Sequence, residues 1–272
     1  METASDIATK QNYLCPSRYL SGRIIEYDLK AANISVLRDK NIIDQDRYIY
    51  LSNLPKIQRE IEIGLMEKQN YDLYKILQEG ICDAKRNLVS FNKIEDDQIV
   101  RVANDAVYIN SDIDLKYLSF GEFVEFRPKS EYNVFCNLNG ILVFCKFLDS
   151  GNINLDIKGL DSSNTVIEIH KNYMISIIAS TIALIERSGI QDAIDYLSEV
   201  CARYIRRELP IEFYRELNKE CSYRLIPMER LFTFGICNIS ESDKKYLDIN
   251  YNYTILRELW SILLEIYSIQ KR

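Results

Sequence analysis

The stretch Asp96–Asp112, DDQIVRVANDAVYINSD, decides the fold class of this chain. Apolar β-formers flank the dipeptide Asn104-Asp105, a pattern typical of two short strands joined by a tight turn. Residues 120–160 continue with further strand patterns, which Asn-Gly and Ser-Gly turns separate. Helical patterns lie before and after this strand-rich stretch. Because strands and helices are clustered and do not alternate, the sequence predicts an α+β fold, an antiparallel sheet with packed helices.

The helices are predicted from apolar residues that recur every three or four positions. A first helix carries Ile57, Ile61 and Leu65 at this spacing, and a second covers Asp72–Phe91. The helical period returns from about Val166 and continues to the end of the chain.

The beginning of the chain is predicted in three parts. Residues 1 to about 20 are expected to be a loosely structured lead-in. A strand follows, with β-formers from Ile24 to Tyr27 running into Asp28. Ala31–Leu37 suits a turn and the start of a helix.

Composition narrows the class of protein. The chain has 272 residues, of which 47% are hydrophobic, and this is enough for one sizeable core. A net charge of −6 argues against a protein that coats nucleic acid non-specifically, although a local basic groove remains compatible with it. The single histidine, His170, excludes a His-rich zinc site. The seven cysteines contain no CxxC pair, and with no apolar leader or spanning segment they predict reduced thiols, a cytoplasmic location and no membrane insertion.

Two aspartates have a setting that can support metal chemistry. Asp28 ends an apolar strand, and Asp105 lies at the tip of the predicted hairpin. If the two strands are neighbours in one sheet, the carboxylates can converge and hold a pair of Mg²⁺ ions. Such ions align a nucleoside triphosphate, activate an attacking hydroxyl and stabilise the leaving pyrophosphate. Aspartate is also common at strand ends and hairpin tips for turn reasons, so this second interpretation stays open.

Four segments, in order, resemble motifs of family B DNA polymerases. Tyr27–Ser35 (YDLKAANIS) resembles the first palm motif, in which Asp and two variable residues precede Ser-Leu-Tyr-Pro-Ser. Asn104–Ile109 (NDAVYI) resembles the second half of the hairpin motif Tyr-Gly-Asp-Thr-Asp-Ser. Lys129–Tyr132 falls where the family carries Lys-Lys-x-Tyr, and Leu155–Leu160 looks like its Ile-Lys-Gly strand. The resemblance covers roughly residues 22–220.

The resemblance implies a minimal, template-directed nucleotidyltransferase. Residues 1–165 would form a palm-like domain with a short helical fingers-like insertion at about 40–92, and residues 166–272 a helical thumb-like region. A 3′-hydroxyl of primer–template nucleic acid would attack the α-phosphate of a nucleoside triphosphate, with Mg²⁺ or Mn²⁺ as the cofactor. A compact, Asn- and Ile-rich chain of this kind suits a phage gene, and a phage protein would act in the host cytoplasm.

The candidate site residues form three groups. The expected catalytic residues are Asp28 and Asp105, and the expected metal ligands are Asp28, Leu29 and Asp105. The expected nucleotide-binding residues are Asn33, beneath the sugar, and Lys56 and Arg59, on the triphosphate oxygens. The residues expected to hold the nucleic-acid backbone are Lys129, Tyr132, Lys158, Arg203, Arg206 and Arg207.

Simpler roles compete with several of these assignments. Lys56 and Arg59 can belong to a solvated helix face. Tyr132 can be an aromatic residue of the sheet core. The arginines of residues 203–207 can pair with nearby acidic residues, Glu199 and Glu208.

Departures from the family pattern keep two other functions open. Ala103 stands where the family has the first Asp of its hairpin motif, and the fingers motif has no good match. Asn33 replaces the Tyr that excludes a ribose 2′-OH, so weaker discrimination against ribonucleotides is expected. The chain can therefore be a catalytically retired palm that serves as a binding or structural subunit. It can also be half of a split polymerase that docks its partner through the apolar C-terminal helix around Trp260.

Overall fold

A computed structural model describes residues 2–159, 165–206, 208 and 250–270 of the chain. Its strands are β1 (Tyr13–Leu14), β2 (Tyr19–Leu29), β3 (Ile99–Ala103), β4 (Ala106–Asn110), β5 (Phe126–Leu138), β6 (Ile141–Phe147) and β7 (Ile153–Lys158). They form a seven-stranded antiparallel sheet in the order β1-β3-β4-β2-β5-β6-β7. The predicted α+β class is confirmed, and its interpretation as a polymerase palm stays a prediction.

The described residues also form eight α-helices and one short 3₁₀ helix, Asp96–Gln98. The α-helices are α1 (Ala4–Ala8), α2 (Ala32–Asp39), α3 (Gln45–Asn53), α4 (Lys56–Gln69), α5 (Asp72–Phe91), α6 (Thr165–Arg187), α7 (Ile190–Arg206) and α8 (Asn250–Gln270). The chain divides into two compact units, a first unit of Met1–Val134 and a second unit of Phe135–Arg272. Strand β5 contributes residues to both units. The predicted domain boundary near residue 165 stays a prediction.

The first unit is built around the predicted hairpin. Pairing of Ala103 with Ala106 leaves Asn104 and Asp105 as the two-residue connection between β3 and β4. β4 also pairs with β2, so that Asp28 lies opposite Ala106. Successive residues of a strand point to opposite faces of the sheet. The face that carries the most apolar residues packs against the helices of this unit, in a core that includes Ile25, Tyr27, Leu29, Val102, Val107 and Ile109.

The beginning of the chain is more ordered than predicted. Residues 4–14 contain α1 and β1, and Ile7 and Ala8 are buried in the core of the first unit. A capping box between Thr3 and Asp6 supports the start of α1. β1 pairs with β3. The prediction of a loose lead-in was therefore wrong, because burial and pairing with a distant strand order a segment that is too short to show a periodic pattern.

Helix α4 forms as predicted, but its apolar stripe does not enter the core. Ile57, Ile61 and Leu65 are exposed, and Ile63 is the buried residue of this helix. Helix α5 matches its predicted range, Asp72–Phe91, and buries one long face.

The second unit contains the β6–β7 pair and helices α6, α7 and α8. Helix α8 contacts α7, and its residues Leu256, Leu259 and Leu263 are buried. The indole N–H of Trp260 donates to Cys201 Sγ at 3.1 Å. This side of α8 therefore packs within the unit. In the described part of the chain, every helix is too short or too polar to cross a membrane.

Candidate functional site

The largest concentration of predicted site residues lines one cavity in the first unit. Its volume is about 680 Å³, within the usual range for small-molecule sites. The elements that border it are the end of β2, the start of α2, the β3–β4 turn, one side of α4 and of α5, and the start of β5. The lining residues are Gln11, Asp28, Leu29, Ala31, Ala32, Asn33, Ile34, Lys56, Arg59, Glu60, Ile63, Tyr74, Gln78, Ile81, Asn104, Asp105, Arg127 and Lys129.

Strand pairing brings Asp28 and Asp105 to the same end of the sheet. Asp28 is opposite Ala106, the residue after Asp105. The backbone N–H of Leu29 donates to the carbonyl of Asp105 at 2.9 Å. Both carboxylates line the cavity, and the Asp28 side chain keeps 15% of its surface exposed. Both aspartates therefore lie at one end of the sheet and line one cavity, and the metal site itself stays a prediction.

The first turn of α2 borders the cavity. Ala31 adopts the left-handed conformation at φ 48°, and no side chain among the described residues caps the helix. Ala32, Asn33 and Ile34 in the first turn all line the cavity. The first N–H groups of a helix have no partner within the helix, and with the helix dipole they favour an anionic ligand.

Basic side chains face this helix start from α4. Lys56 Nζ lies 3.8 Å from Glu60 Oε1, a mostly exposed pair. The side chain of Arg59 lines the cavity and, among the residues that the structure describes, pairs with none of them. An unpaired guanidinium in a cavity is suited to bidentate contact with phosphate oxygens.

A buried carboxylate holds Lys129 beside the cavity. Glu26 is 3% exposed and lies on the same face of β2 as Asp28. Lys129 Nζ donates to Glu26 Oε1 at 3.0 Å, and Tyr132 Oη donates to Glu26 Oε2 at 3.4 Å. Tyr108, whose pKa is raised by burial, also hydrogen-bonds Glu26. The bond to Glu26 raises the pKa of Lys129, so its ammonium form is favoured.

Asp28 is paired through both of its oxygens. Lys129 Nζ lies 3.6 Å from Oδ1, and Arg127 Nη2 lies 3.6 Å from Oδ2. Both distances are long for a hydrogen bond, so the pairs are mainly electrostatic. Arg127 was not identified from the sequence, although it precedes Lys129 by two residues and therefore shares its side of the strand.

A buried lysine on α5, Lys85, supports the hairpin tip. Its Nζ donates to the carbonyls of Lys10 at 2.9 Å and Ala103 at 3.5 Å, and burial lowers the pKa of this amino group. Sequence reasoning missed Lys85. Its place in the apolar stripe of α5, between Ile81 and Leu88, would have marked it as a buried charge.

The oxygen ligands that the cavity offers suit magnesium only if a phosphate group supplies further ligands. Among the described residues, no group of three acidic, Cys or His side chains is arranged to hold a metal ion. Mg²⁺ is usually bound by one or two carboxylates plus substrate phosphates, and Asp28 and Asp105 are two such carboxylates. Leu29 can add only its backbone carbonyl. The residues therefore fit a metal that arrives with a nucleotide.

Four further predicted residues are not among those that line the cavity: Tyr132, Lys158, Arg203 and Arg206. Tyr132 is buried against Glu26, as the sheet-core alternative expects. Lys158 belongs to the second unit, where it lies 3.4 Å from Asp156. In α7, Arg206 pairs with Glu199 and Glu208, and Arg203 donates to the carbonyl of Glu208. Arg207 lies outside the described residues.

Comparison with known proteins adds a family but no activity. No curated protein matches the chain. Residues 3–265 match the family model described as "Bacteriophage PBS1 gene 130 protein". Because the match covers most of the chain, the protein belongs to the bacteriophage PBS1 gene 130 protein family, which supports the phage origin expected from the sequence.

Proposed function

We propose that this protein is a metal-dependent nucleotidyltransferase that transfers the nucleotidyl group of a nucleoside triphosphate to the 3′-hydroxyl of a nucleic acid and releases pyrophosphate. One observation carries the proposal: a single cavity combines Asp28 and Asp105 with the start of α2 and with Arg59, and among the described residues no side chain caps that helix and none pairs with the Arg59 side chain. The first two can bind a metal ion and the last two can bind phosphates. The resemblance of the same segments to family B DNA polymerases makes a primer–template the expected nucleic-acid partner.

The triphosphate would lie between α2 and α4. Backbone N–H groups of Ala32, Asn33 and Ile34 would donate to phosphate oxygens, and Arg59 would approach from the opposite wall. Lys56 would add charge after leaving its exposed pair with Glu60. The side chain of Asn33 would then lie near the sugar.

Asp28, Asp105 and the Leu29 carbonyl would hold the metal. When bound with the triphosphate, Mg²⁺ or Mn²⁺ would polarise the phosphoryl oxygens and stabilise the leaving pyrophosphate. Arg127 would release Asp28 as the ligands enter, because its guanidinium side chain is 59% exposed and loses little by returning to water.

An incorporation assay tests this proposal directly. The full-length protein would be incubated with labelled dNTPs or NTPs, with primed or unprimed templates, and with Mg²⁺ or Mn²⁺. Metal-dependent extension of a 3′ end is the expected result. No extension, together with no metal-dependent retention of a triphosphate, would overturn the proposal.

Arg59 is expected to contribute strongly to triphosphate binding. Arg59→Ala should raise the apparent KM for the nucleotide about 10- to 100-fold, since a charge-assisted contact contributes about 1.5–3 kcal/mol. Lys68→Ala on the same helix is the matched control, because Lys68 does not line the cavity. Steady-state kinetics would measure both variants. An unchanged KM in Arg59→Ala would place the phosphates elsewhere.

Asn33 is expected to influence the choice of sugar. Asn33→Tyr would introduce a ring beside the sugar and should lower incorporation of NTPs relative to dNTPs by about tenfold, the effect of roughly 1.4 kcal/mol of steric discrimination. The ratio of kcat/KM for the two substrates would measure this change. An equal loss for both sugars would show that Asn33 does not discriminate between them.

A retired palm that only binds nucleic acid is the second candidate. The observation that favours it is the pairing of both Asp28 oxygens with Arg127 and Lys129, which stabilises Asp28 without a metal. Nucleic-acid binding that is independent of metal, without incorporation under any condition, would support this candidate over the first.

A further inference from the structure

The two cations beside Asp28 differ in how firmly the protein holds them. Lys129 is bonded at 3.0 Å to Glu26, whose side chain is only 4% exposed. A buried carboxylate that loses its cation is strongly destabilised. Glu26 therefore holds Lys129 beside Asp28 Oδ1.

Among the described residues, Arg127 has no comparable anchor. Its side chain is mostly exposed, and the ion pair that the described residues give it is the one with Asp28 Oδ2 at 3.6 Å. Exposed pairs of this length contribute little to stability. Arg127 can therefore move away from Asp28 Oδ2 easily, whereas Lys129 stays beside Oδ1.

We propose that Lys129 permanently fills one of the cation positions beside Asp28, so that the chain takes up one divalent cation with each nucleotide and not two. The ammonium group of Lys129 would provide fixed positive charge at Oδ1, where a second metal ion would otherwise bind. This inference rests on the proposed nucleotide site, and it changes the expectation of two Mg²⁺ ions that the sequence alone suggests.

The protein's own geometry also predicts what removal of Lys129 would do. Without the ammonium group, the carboxylates of Glu26 and Asp28 would face the same vacated position, because both lie within 3.6 Å of Lys129 Nζ. Carboxylate oxygens are suitable ligands for Mg²⁺ and Mn²⁺. A second divalent cation should then bind there.

The test is a count of bound metal. The full-length protein would be titrated with Mn²⁺ in the presence of a non-hydrolysable nucleoside triphosphate analogue. The electron paramagnetic resonance signal of free Mn²⁺ would give the metal bound, and equilibrium dialysis would give the nucleotide bound. The expected ratio is one Mn²⁺ per bound nucleotide in the wild type and two in Lys129→Met. Lys129→Arg, which keeps the charge, should remain at one.

A control variant on α5 checks that the change in metal count is specific to Lys129. Lys75→Met removes an exposed lysine that pairs with Glu79 on α5, and its ratio should equal that of the wild type. Two Mn²⁺ per nucleotide in the wild type would overturn the inference and leave the proposed function standing, whether or not the Lys129 variants fold. A ratio of one in a folded Lys129→Met would also overturn it. Failure of the wild type to retain nucleotide would overturn the proposed function, and the inference with it.

Discussion

Replacement of Asp28 by asparagine should reduce nucleotide incorporation by about a thousandfold, and replacement of Asp105 should do the same. Asparagine keeps the shape of the side chain but removes the negative charge that a divalent cation requires. Loss of one group that stabilises transition-state charge typically lowers kcat by about 10²–10³-fold, and loss of a metal ligand belongs at the upper end. Single-turnover incorporation at saturating Mn²⁺ would measure the effect on the chemical step.

The control for these variants is an aspartate in a comparable ion pair outside the cavity. Asp83 lies 2.7 Å from Arg86 on α5, so Asp83→Asn removes a similar charge without affecting the proposed metal site. Its activity should equal that of the wild type. If Asp28→Asn or Asp105→Asn retained more than about a tenth of wild-type activity while folded, that carboxylate would not be a metal ligand.

Replacement of Gly80 by alanine should destabilise the protein by about 1–3 kcal/mol, the usual effect of overpacking a close-packed core. A Cβ at Gly80 would overlap Cγ1 of Val36, where α5 approaches α2. Val36 is buried and β-branched, so it has little freedom to rotate away. Helix α2 would have to shift, and the first turn of this helix lines the cavity in which the triphosphate is proposed to bind. Both stability and incorporation should therefore fall.

Gly64 gives the matched comparison on α4. A Cβ at Gly64 would meet nothing within 4 Å, so Gly64→Ala should follow helix propensity alone and stabilise the protein by about 0.5–1 kcal/mol. Urea unfolding of both variants would give the two changes in the free energy of unfolding. The same sign for both variants would contradict the close approach of α2 and α5.

The hairpin and the long helices could be predicted because their signals are local. Asn104-Asp105 between apolar runs fixes the turn between β3 and β4, and the apolar period of residues 72–91 marks α5 within its observed bounds. Short elements gave no such signal. Helix α1 has only five residues and depends on burial of Ile7 and Ala8, which no local pattern reveals.

The same distinction applies to the candidate site. Asp28 and Asp105 stood out because each follows an apolar strand pattern, and their neighbours resemble polymerase motifs. Arg127, Glu26 and Lys85 did not stand out, because their importance depends on what lies across the sheet or beneath the hairpin. Sequence periodicity also misplaced the buried face of α4, because the apolar stripe that begins at Ile57 is exposed. Periodicity predicts a helix, but it does not by itself show which face is buried.

The sequence by itself determined the α+β class and the order of the longer strands and helices, and it marked Asp28 and Asp105 as candidates, since all of these depend on residues close to each other along the chain. Only the tertiary structure decided that Asp28 is paired with Lys129 and Arg127 and that buried Glu26 anchors Lys129. It also decided that the Arg59 side chain lines the cavity and pairs with none of the residues that the structure describes. These features depend on segments that are far apart along the chain, such as Glu26 and Lys129, which are 103 residues apart. Sheet pairing and the approach of side chains from distant segments determine such contacts, and they leave no local periodic signal.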